Sequence, residues 1–527
     1  MGSKKLQVWL PLLFSVTMVA GMMIGYQLKS ETGGTGFLKG SRDVALEEVL
    51  ELINKKYVDP VKTDSINDAA IDELLSHLDP HSVYIPPIDV KSVDEELMGN
   101  FGGIGVEFQV FNDTINIVRI IAGGPAESAG LKTGDQIIKA NDTIQLAGKK
   151  LKYEDIKNQL RGPIGSPVQL TIRRDGQLKN IVVKRGMITV PSVEVAYMIA
   201  PQTGYLMINK FGERTYEEFM QQMEKLQQQG MQKLILDLRG NGGGLMNEAT
   251  AIADEFLDGD KLIVYTEGSK SPKMEYRCKK DGIFEKGKLV VLVDETSASA
   301  SEVLTGALQD WDRATIIGRR TFGKGLVQQQ FRLSNGGAVR LTVARYYTPL
   351  GRNIQKPYNH GKEKYEEELI DRFHDGELEK LDSSKSKGPA FKTPAGHIVY
   401  GGWGITPDYF VAIDTNVNGY LLGRLHMRGG VNRFAFQYFM QNKASLANVR
   451  SMSQFDSSFS LNNSDWNRLH TELAKDFVKI ELNDLYKKEI VKQVKELVAE
   501  QIWGNKGFYF IANKEDGMIE KSMEVLK

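Results

Sequence analysis

The spacing of apolar residues changes several times along the chain, and each change marks a region. Leu6 to Leu28 form 23 residues without a charge, bounded by Lys4 and Lys5 before and Lys29 after. As a helix this stretch is about 35 Å long, enough for a hydrocarbon core of about 30 Å. The expectation is an uncleaved signal anchor over 1–28 with its N-terminus in the cytoplasm, because lysines lead it and no small-x-small site follows. A cleaved signal peptide is the rival reading. Residues 29–42, rich in Gly, Thr and Ser, read as a flexible tether. Asp43 to Leu78 returns to helical spacing (Leu46, Val49, Leu50, Ile53, then Ile71, Leu74, Leu75, Leu78), interrupted at Asp59 and Pro60. Two short helices are predicted within an N-terminal helical region, 43–98, and the prolines of LDPHSVYIPP end the pattern.

From Phe101 the chain turns to glycine punctuation and short alternating runs such as INIVRII, GDQIIKAND and VQLTIRR. These predict a small mostly-β module over 99–186, with one helix at YEDIKNQL. Between 187 and 358 continuous apolar strands (GYLMINKF, KLILDL, KLVVLVDE) alternate with amphipathic helices, the pattern of an α/β unit buried on both faces. The main core is assigned to 187–415. Within it, residues 359–392 interleave Lys and Glu with few apolar anchors and read as a solvated insertion or linker. From 416 to 527 the composition is helical, without an evident purpose.

Composition narrows the function classes. A chain of 527 residues is too long for one compact unit, and 41% hydrophobic with 25% charged residues is ordinary for ordered globular protein. The 67 basic residues balance 67 acidic ones, so no global field draws the chain onto nucleic acid. Cys278 is the one cysteine, and no Cys/His cluster has zinc-site spacing; neither a metal nor a cofactor is called for.

Chemistry concentrates at strand ends. SASASE, Ser297 to Glu302, lies where KLVVLVDE ends and a helix begins, a place where free N–H groups and the helix dipole stabilise an oxyanion. A serine there is either a nucleophile or simply the helix cap. No Ser/His/Asp arrangement is evident: His77 and His81 lie in the N-terminal helical region and the remaining histidines follow the core. Lys324 stands between two glycines, 25 residues after Ser299, with Gln328 four residues on. A lysine serves as base only when neutral, which at a pKa of about 10.4 is about one molecule in two thousand at pH 7. Burial must lower that value by about three units, so the reading requires an apolar pocket around Lys324. A second glycine cluster, LRGNGGG, can aim N–H groups at an oxyanion; it lacks the Walker lysine and the G-x-G-x-x-G spacing.

In combination and order, LDPHSVYI, GGIGVEF, GGPAESAGLKTGD, DLRGNGGG, SASASE, GRRTFGKGLVQ, LTVARYYTPLGRNIQ and GITPD make the chain resemble the carboxyl-terminal processing proteases, the tail-specific S41 serine peptidases, from about Val44 to Asp408. The resemblance implies a multi-domain α/β protein: a ClpP/crotonase-like core of ββα units with an inserted PDZ domain. It implies Ser299 as nucleophile, Lys324 as general base, Gln328 as the residue orienting that lysine, and the N–H groups of Ala300 and Gly243 as oxyanion hole. Gly102, Gly103, Ile104 and Gly105 resemble the carboxylate-binding loop of the PDZ module, with Tyr153, Ile156 and Leu160 lining its groove or packing its core. The implied activity is cleavage of exported proteins near their C-termini by an enzyme held in the inner (cytoplasmic) membrane, its catalytic part on the periplasmic side. The partners expected are substrate tails, with a second copy or an adaptor on the C-terminal helical region. Two other classes compete: a catalytically idle PDZ adaptor, and a crotonase-like acyl-CoA enzyme, which leaves the PDZ module without a reason.

Overall fold

The computed structural model describes residues 44–141, 143–380, 388–413, 429–475 and 484–527, with 17–19 and 23. The expected anchor over Leu6 to Leu28 and the tether at 29–42 lie outside the described residues, those four positions apart. Among the described residues no helix is long and apolar enough to cross a membrane. The chain forms two compact units, Met1–Leu74 and Leu75–Lys527. The first carries the helix Val44–Lys56 and most of Thr63–Ser76, on either side of the break predicted at Asp59 and Pro60.

In the second unit, the β module is a six-stranded antiparallel sheet (Val106–Phe111, Thr114–Ile120, Gln136–Ala140, Ile144–Gln145, Pro167–Arg174, Gln177–Lys184) with the helix Tyr153–Leu160. Strict alternation puts Ile115, Ile117, Val168, Leu170 and Ile172 on the buried face. Asp175 and Gly176 both take positive φ, as a tight two-residue hairpin requires. The chain enters through Asn100–Gly103 and leaves through Gly186–Thr189, and these two strands pair with each other. Both ends of the insertion are thereby closed at one place.

The core is a six-stranded sheet in the order Val193–Ala200, Thr203–Ile208, Lys233–Asp237, Lys288–Val293, Thr315–Gly318, Tyr409–Phe410. Its first pair is antiparallel and the other four pairings are parallel. Leu234 and Leu236 face the helices Thr215–Gln228, Met246–Asp254 and Ala300–Asp310, while Ile235, Val290, Leu292 and Ile317 face the other way. That second face is covered by the C-terminal helical region, through Met518, Ile519, Leu526 and Tyr509. Burial on both faces explains why these strands read as continuous apolar runs. A second antiparallel sheet joins Val83–Ile85, Ala338–Tyr347, Leu326–Arg332, Leu262–Glu267 and Met274–Arg277, so the LDPHSVYI motif belongs to the core and not to the N-terminal helices.

The C-terminal helices also touch the β module, where Phe436 packs on Phe111 at 5.9 Å between ring centres and Asn505 accepts a bond from Arg119 at 3.2 Å. The charged insertion is not a solvated linker. Its helix Lys362–His374 buries Tyr365 and Arg372, and Arg320 binds both Glu368 and Glu377. The apolar anchors are few because buried ion pairs and hydrogen bonds replace them.

Candidate active site

Three parallel strands, Lys233–Asp237, Lys288–Val293 and Thr315–Gly318, are neighbours in the sheet and end on the same edge, so the turns that follow them converge. LRGNGGG and SASASE are far apart in the chain, Asn241 and Ser301 by 60 positions, yet Asn241 O accepts from Ala298 N–H (3.0 Å) and from Ser301 Oγ (2.9 Å), and Gly240 N–H donates to Asp294. Phe322 N–H of the third turn donates to Ser297 O at 3.0 Å.

Ser299 stands at the N-cap of the helix Ala300–Asp310 with φ 55° and ψ −112°, a backbone state that costs a non-glycine residue about 1–3 kcal/mol and gathers at functional positions. Unlike Ser297 and Ser301, which are fully buried, it is partly exposed. Its N–H is held by Glu302 Oε2 at 2.8 Å. The Ala300 N–H makes no hydrogen bond among the described residues and points out of the first helical turn. Gly243 interlocks with this turn: a Cβ on it would lie 2.8 Å from Ser299 Cβ and 3.0 Å from Ala300 N, and its φ is +102°. Its N–H, however, is engaged by Asn241 Oδ1 at 2.9 Å.

The lysine turn is held against the serine turn by two buried side chains. Glu302 accepts from Thr321 Oγ1 (2.5 Å), Gly323 N–H (2.7 Å) and Lys324 N–H (2.9 Å) as well as from Ser299. The Tyr346 hydroxyl lies 2.6 Å from Lys324 O and 3.2 Å from Ser299 O. One carboxylate therefore takes the N–H groups of both residues, and one phenol sits on both carbonyls. Burial pushes the Glu302 carboxyl up to about 7 against those four bonds. Gly323 is required by close approach as well as by its φ of +88°, since a Cβ would come within 3.1 Å of Gly404 N and 3.2 Å of Lys356 Cβ.

The Lys324 ammonium donates to Gln328 Oε1 at 3.0 Å. Its pKa is lowered, first by burial and then by the nearby charge of Arg340, with Glu302 and Asp79 pulling the other way. His81, set aside on sequence position alone, lies beside this lysine: its main-chain carbonyl accepts from Gln328 Nε2, and burial together with the Lys324 charge pushes its imidazole down to about 4. Asp79 fixes the LDPHS turn by accepting from His81 N–H, Ser82 N–H and Thr342 Oγ1. The turn signals around Pro80 were legible in the sequence. What it faces was not, because its partners lie some 250 residues away. Cys278 is buried in the core, and burial pushes its thiol up to about 12.

In the β module, Gly103, Ile104, Gly105, Phe108, Tyr153 and Leu160 border a groove of about 710 Å³ between the strand Val106–Phe111 and the helix Tyr153–Leu160. Gly102 and Ile156 do not border it, and of the two places expected for Ile156, groove or core, the structure selects the core. Ile156 is 1% exposed and belongs to the module's core, because at about 100° per residue it is turned some 60° from Tyr153, and Lys157 takes the rim position instead. Gly102 secures the back of the loop, where its carbonyl accepts from Gly162 N–H at 3.0 Å and a Cβ would strike Gly162 O at 2.2 Å. Tyr153 is 58% exposed and stacks on Phe108 with ring centres 5.0 Å apart.

Comparison with known proteins adds lineage to geometry. Residues 202–361 match the family model described as Peptidase family S41, residues 102–184 the PDZ domain, and residues 421–504 a family of unknown function. Over 320 residues the chain is 37% identical to a probable CtpA-like serine protease of Staphylococcus aureus, covering 60% of this chain and 62% of that one, less than two thirds of its length. Among solved structures, a photosystem II D1 C-terminal processing protease is 29% identical over 60% of this chain and 90% of that chain, with a TM-score of 0.35. The carboxy-terminal-processing protease of Bartonella bacilliformis is 38% identical over 314 residues, which are 58% of this chain and 71% of that protein. Identity of that order across more than two thirds of a relative is shared descent, and the chain belongs to peptidase family S41, as a serine endopeptidase of the carboxy-terminal-processing kind.

Proposed function

We propose that this protein is a membrane-anchored endopeptidase that cuts exported proteins near their C-termini, with Ser299 as nucleophile and Lys324 as its base. The observation that carries the reading is the double clamp of Glu302 and Tyr346, which ties Ser299 to Lys324 while Gln328 takes a hydrogen of the amine. Neutral Lys324 accepts the Ser299 hydroxyl proton as Oγ attacks the scissile carbonyl, and returns it to the leaving amine. Water then releases the acyl group by the same proton path in reverse. The free Ala300 N–H faces the developing oxyanion; Gly243 N–H joins it once it leaves Asn241 Oδ1. The groove of the PDZ module receives the substrate tail, its carboxylate at the N–H groups of the Gly103–Gly105 loop. Docking there promotes the alignment of Ser299 with Lys324.

The test is cleavage of a protein with an apolar, free C-terminus by the wild type, Ser299→Ala and Lys324→Ala. Both variants are expected to lose cleavage while keeping fold and tail binding. Wild-type turnover by either one overturns the dyad, and a wild type that binds tails without cutting is an adaptor. An amidated tail is expected to be cut more slowly than the free acid, and equal rates remove the tail-capture step. The uncharged stretch Leu6 to Leu28 supports anchoring in the inner membrane with the catalytic part outside the cytoplasm. Release of the full chain by alkaline carbonate refutes the anchor.

A further inference from the structure

The charged insertion carries a buried tyrosine aimed at the lysine side of the site. Tyr365, on the helix Lys362–His374, is 3% exposed in a segment otherwise dense in Lys and Glu. Its hydroxyl lies 2.9 Å from His81 Nε2, and its ring stands edge-on to His81 and Phe322, at 5.2 and 5.8 Å between centres. The helix is docked at both ends of the lysine turn. Lys356 Nζ donates to Tyr365 O (3.1 Å) and to Glu368 (2.8 Å) and lies 4.2 Å from the Tyr365 ring centre. Arg372 donates to Arg320 O (2.6 Å) and Thr321 O (3.2 Å), just ahead of Lys324.

From Tyr365 one route leads to the amine and another to the backbone of the lysine turn. In the first, His81 O accepts from Gln328 Nε2, and Gln328 Oε1 accepts from Lys324 Nζ at 3.0 Å. In the second, Gln355 donates from Nε2 to the Tyr365 hydroxyl (3.3 Å) and accepts at Oε1 from Gly325 N–H (2.8 Å). The first route has chemical content. A glutamine amide has a donor end and an acceptor end, and only while its NH2 is committed to a carbonyl does its oxygen face the lysine. Turned over, the amide presents N–H to an amine that must itself donate, and the contact becomes repulsive. The position of the His81 peptide decides which end faces Lys324. Asp79 holds that peptide at Ser82 N–H (3.0 Å) and the one before it at His81 N–H (2.9 Å), and Tyr365 holds the ring.

We propose that Tyr365 is a positioning residue for the Lys324 base, acting through His81 and Gln328, so that the insertion is a wall of the active site. The inference rests on Lys324 being the base. Tyr365→Phe keeps the ring and removes the hydroxyl. In the full chain it is expected to lower kcat about tenfold and leave KM for the tail-bearing substrate within about twofold, the signature of an interaction used in the transition state and not in substrate binding. Gln328→Ala removes the mediator, so Tyr365→Phe added to it is expected to cause no further loss; independent sites would multiply their effects. The cycle reads coupling even if the phenylalanine variant melts early. Additive losses, or a wild-type kcat in Tyr365→Phe, overturn the proposal. Failure of the underlying reading is distinguishable, because Lys324→Ala would then still cleave.

Discussion

The serine turn and the lysine turn lie side by side but are built differently. Ser299 is placed by its own neighbourhood: a strand end, a helix start, and Glu302 three residues on accepting its N–H. Across the chain its turn meets the adjacent strand end, LRGNGGG, and the Tyr346 hydroxyl at Ser299 O. Lys324 has only Gln328 close in sequence, and its other surroundings arrive from His81, Glu302, Arg340, Tyr346, Gln355 and, one shell out, the insertion helix. A nucleophile can be positioned by local geometry, whereas an amine becomes a base only through the sum of what surrounds it. The lysine side is accordingly the more distributed and the more open to remote substitution.

The sharpest way to break this contrast is Gly243→Ala, since the LRGNGGG turn interlocks with the serine turn at that residue. The Cβ would be forced to 2.7 Å from Ala298 O at a φ of +102°. The expected loss in kcat is about 10²- to 10³-fold, the scale of a disabled oxyanion site, read by steady-state kinetics beside a thermal melt. Retention of activity within threefold would mean that the turns tolerate separation. Glu302→Gln comes next, because glutamine turns an NH2 toward donors that need an acceptor. About 3 kcal/mol of stability is expected to go at pH 8, measured by urea unfolding. The pH dependence carries a sign: the folded carboxyl, raised from 4.5 to about 7, holds a proton that the unfolded chain has released, so Glu302 makes wild-type stability fall as pH rises between those values. The full drop from this group is about 3 kcal/mol, and a slope unchanged in Glu302→Gln would show that another group titrates.

Arg372→Ala tests the remote support of the lysine side. Its buried guanidinium holds two carbonyls of the lysine turn, and about 2 kcal/mol of destabilisation is expected. A shift in the unfolding midpoint worth less than about 0.5 kcal/mol would return the insertion to a solvated linker. The smallest effect belongs to Tyr346→Phe. Loss of the phenol, after which Ser299 O still accepts from Glu302 N–H and Val303 N–H, is expected to cost about 1 kcal/mol and lower kcat a few-fold. A loss as large as that of Glu302→Gln would show that the hydroxyl, and not the carboxylate, is the main tie.

Much of the fold was readable because its signals are local. Alternation placed Ile115 and Ile117, apolar runs placed the strands Lys233–Asp237 and Lys288–Val293, and helical spacing placed Tyr153–Leu160. Misreadings occurred where a residue's partner is far along the chain. The insertion looked solvated because its buried groups are Tyr365 and Arg372, which charge density conceals until Arg320 and Lys356 are seen opposite them. Ile156 and Lys157 differ by one helical step, and only the position of the sheet decides which of them meets the groove. The C-terminal helices gave no hint that they cover the second face of the core sheet and reach the PDZ module.

By itself the sequence determined where strands end and helices begin, and it put Ser299, Lys324 and the glycines beside them at those ends, since caps, turns and periodicity are properties of a few consecutive residues. Only the tertiary structure decided that three such ends share one edge of a sheet, that His81 lies by the lysine, and that the Gly243 N–H is turned to Asn241. Burial, charge and close approach are summed over everything within a few ångströms, and most of what lies within that distance of Lys324 was brought there by the fold.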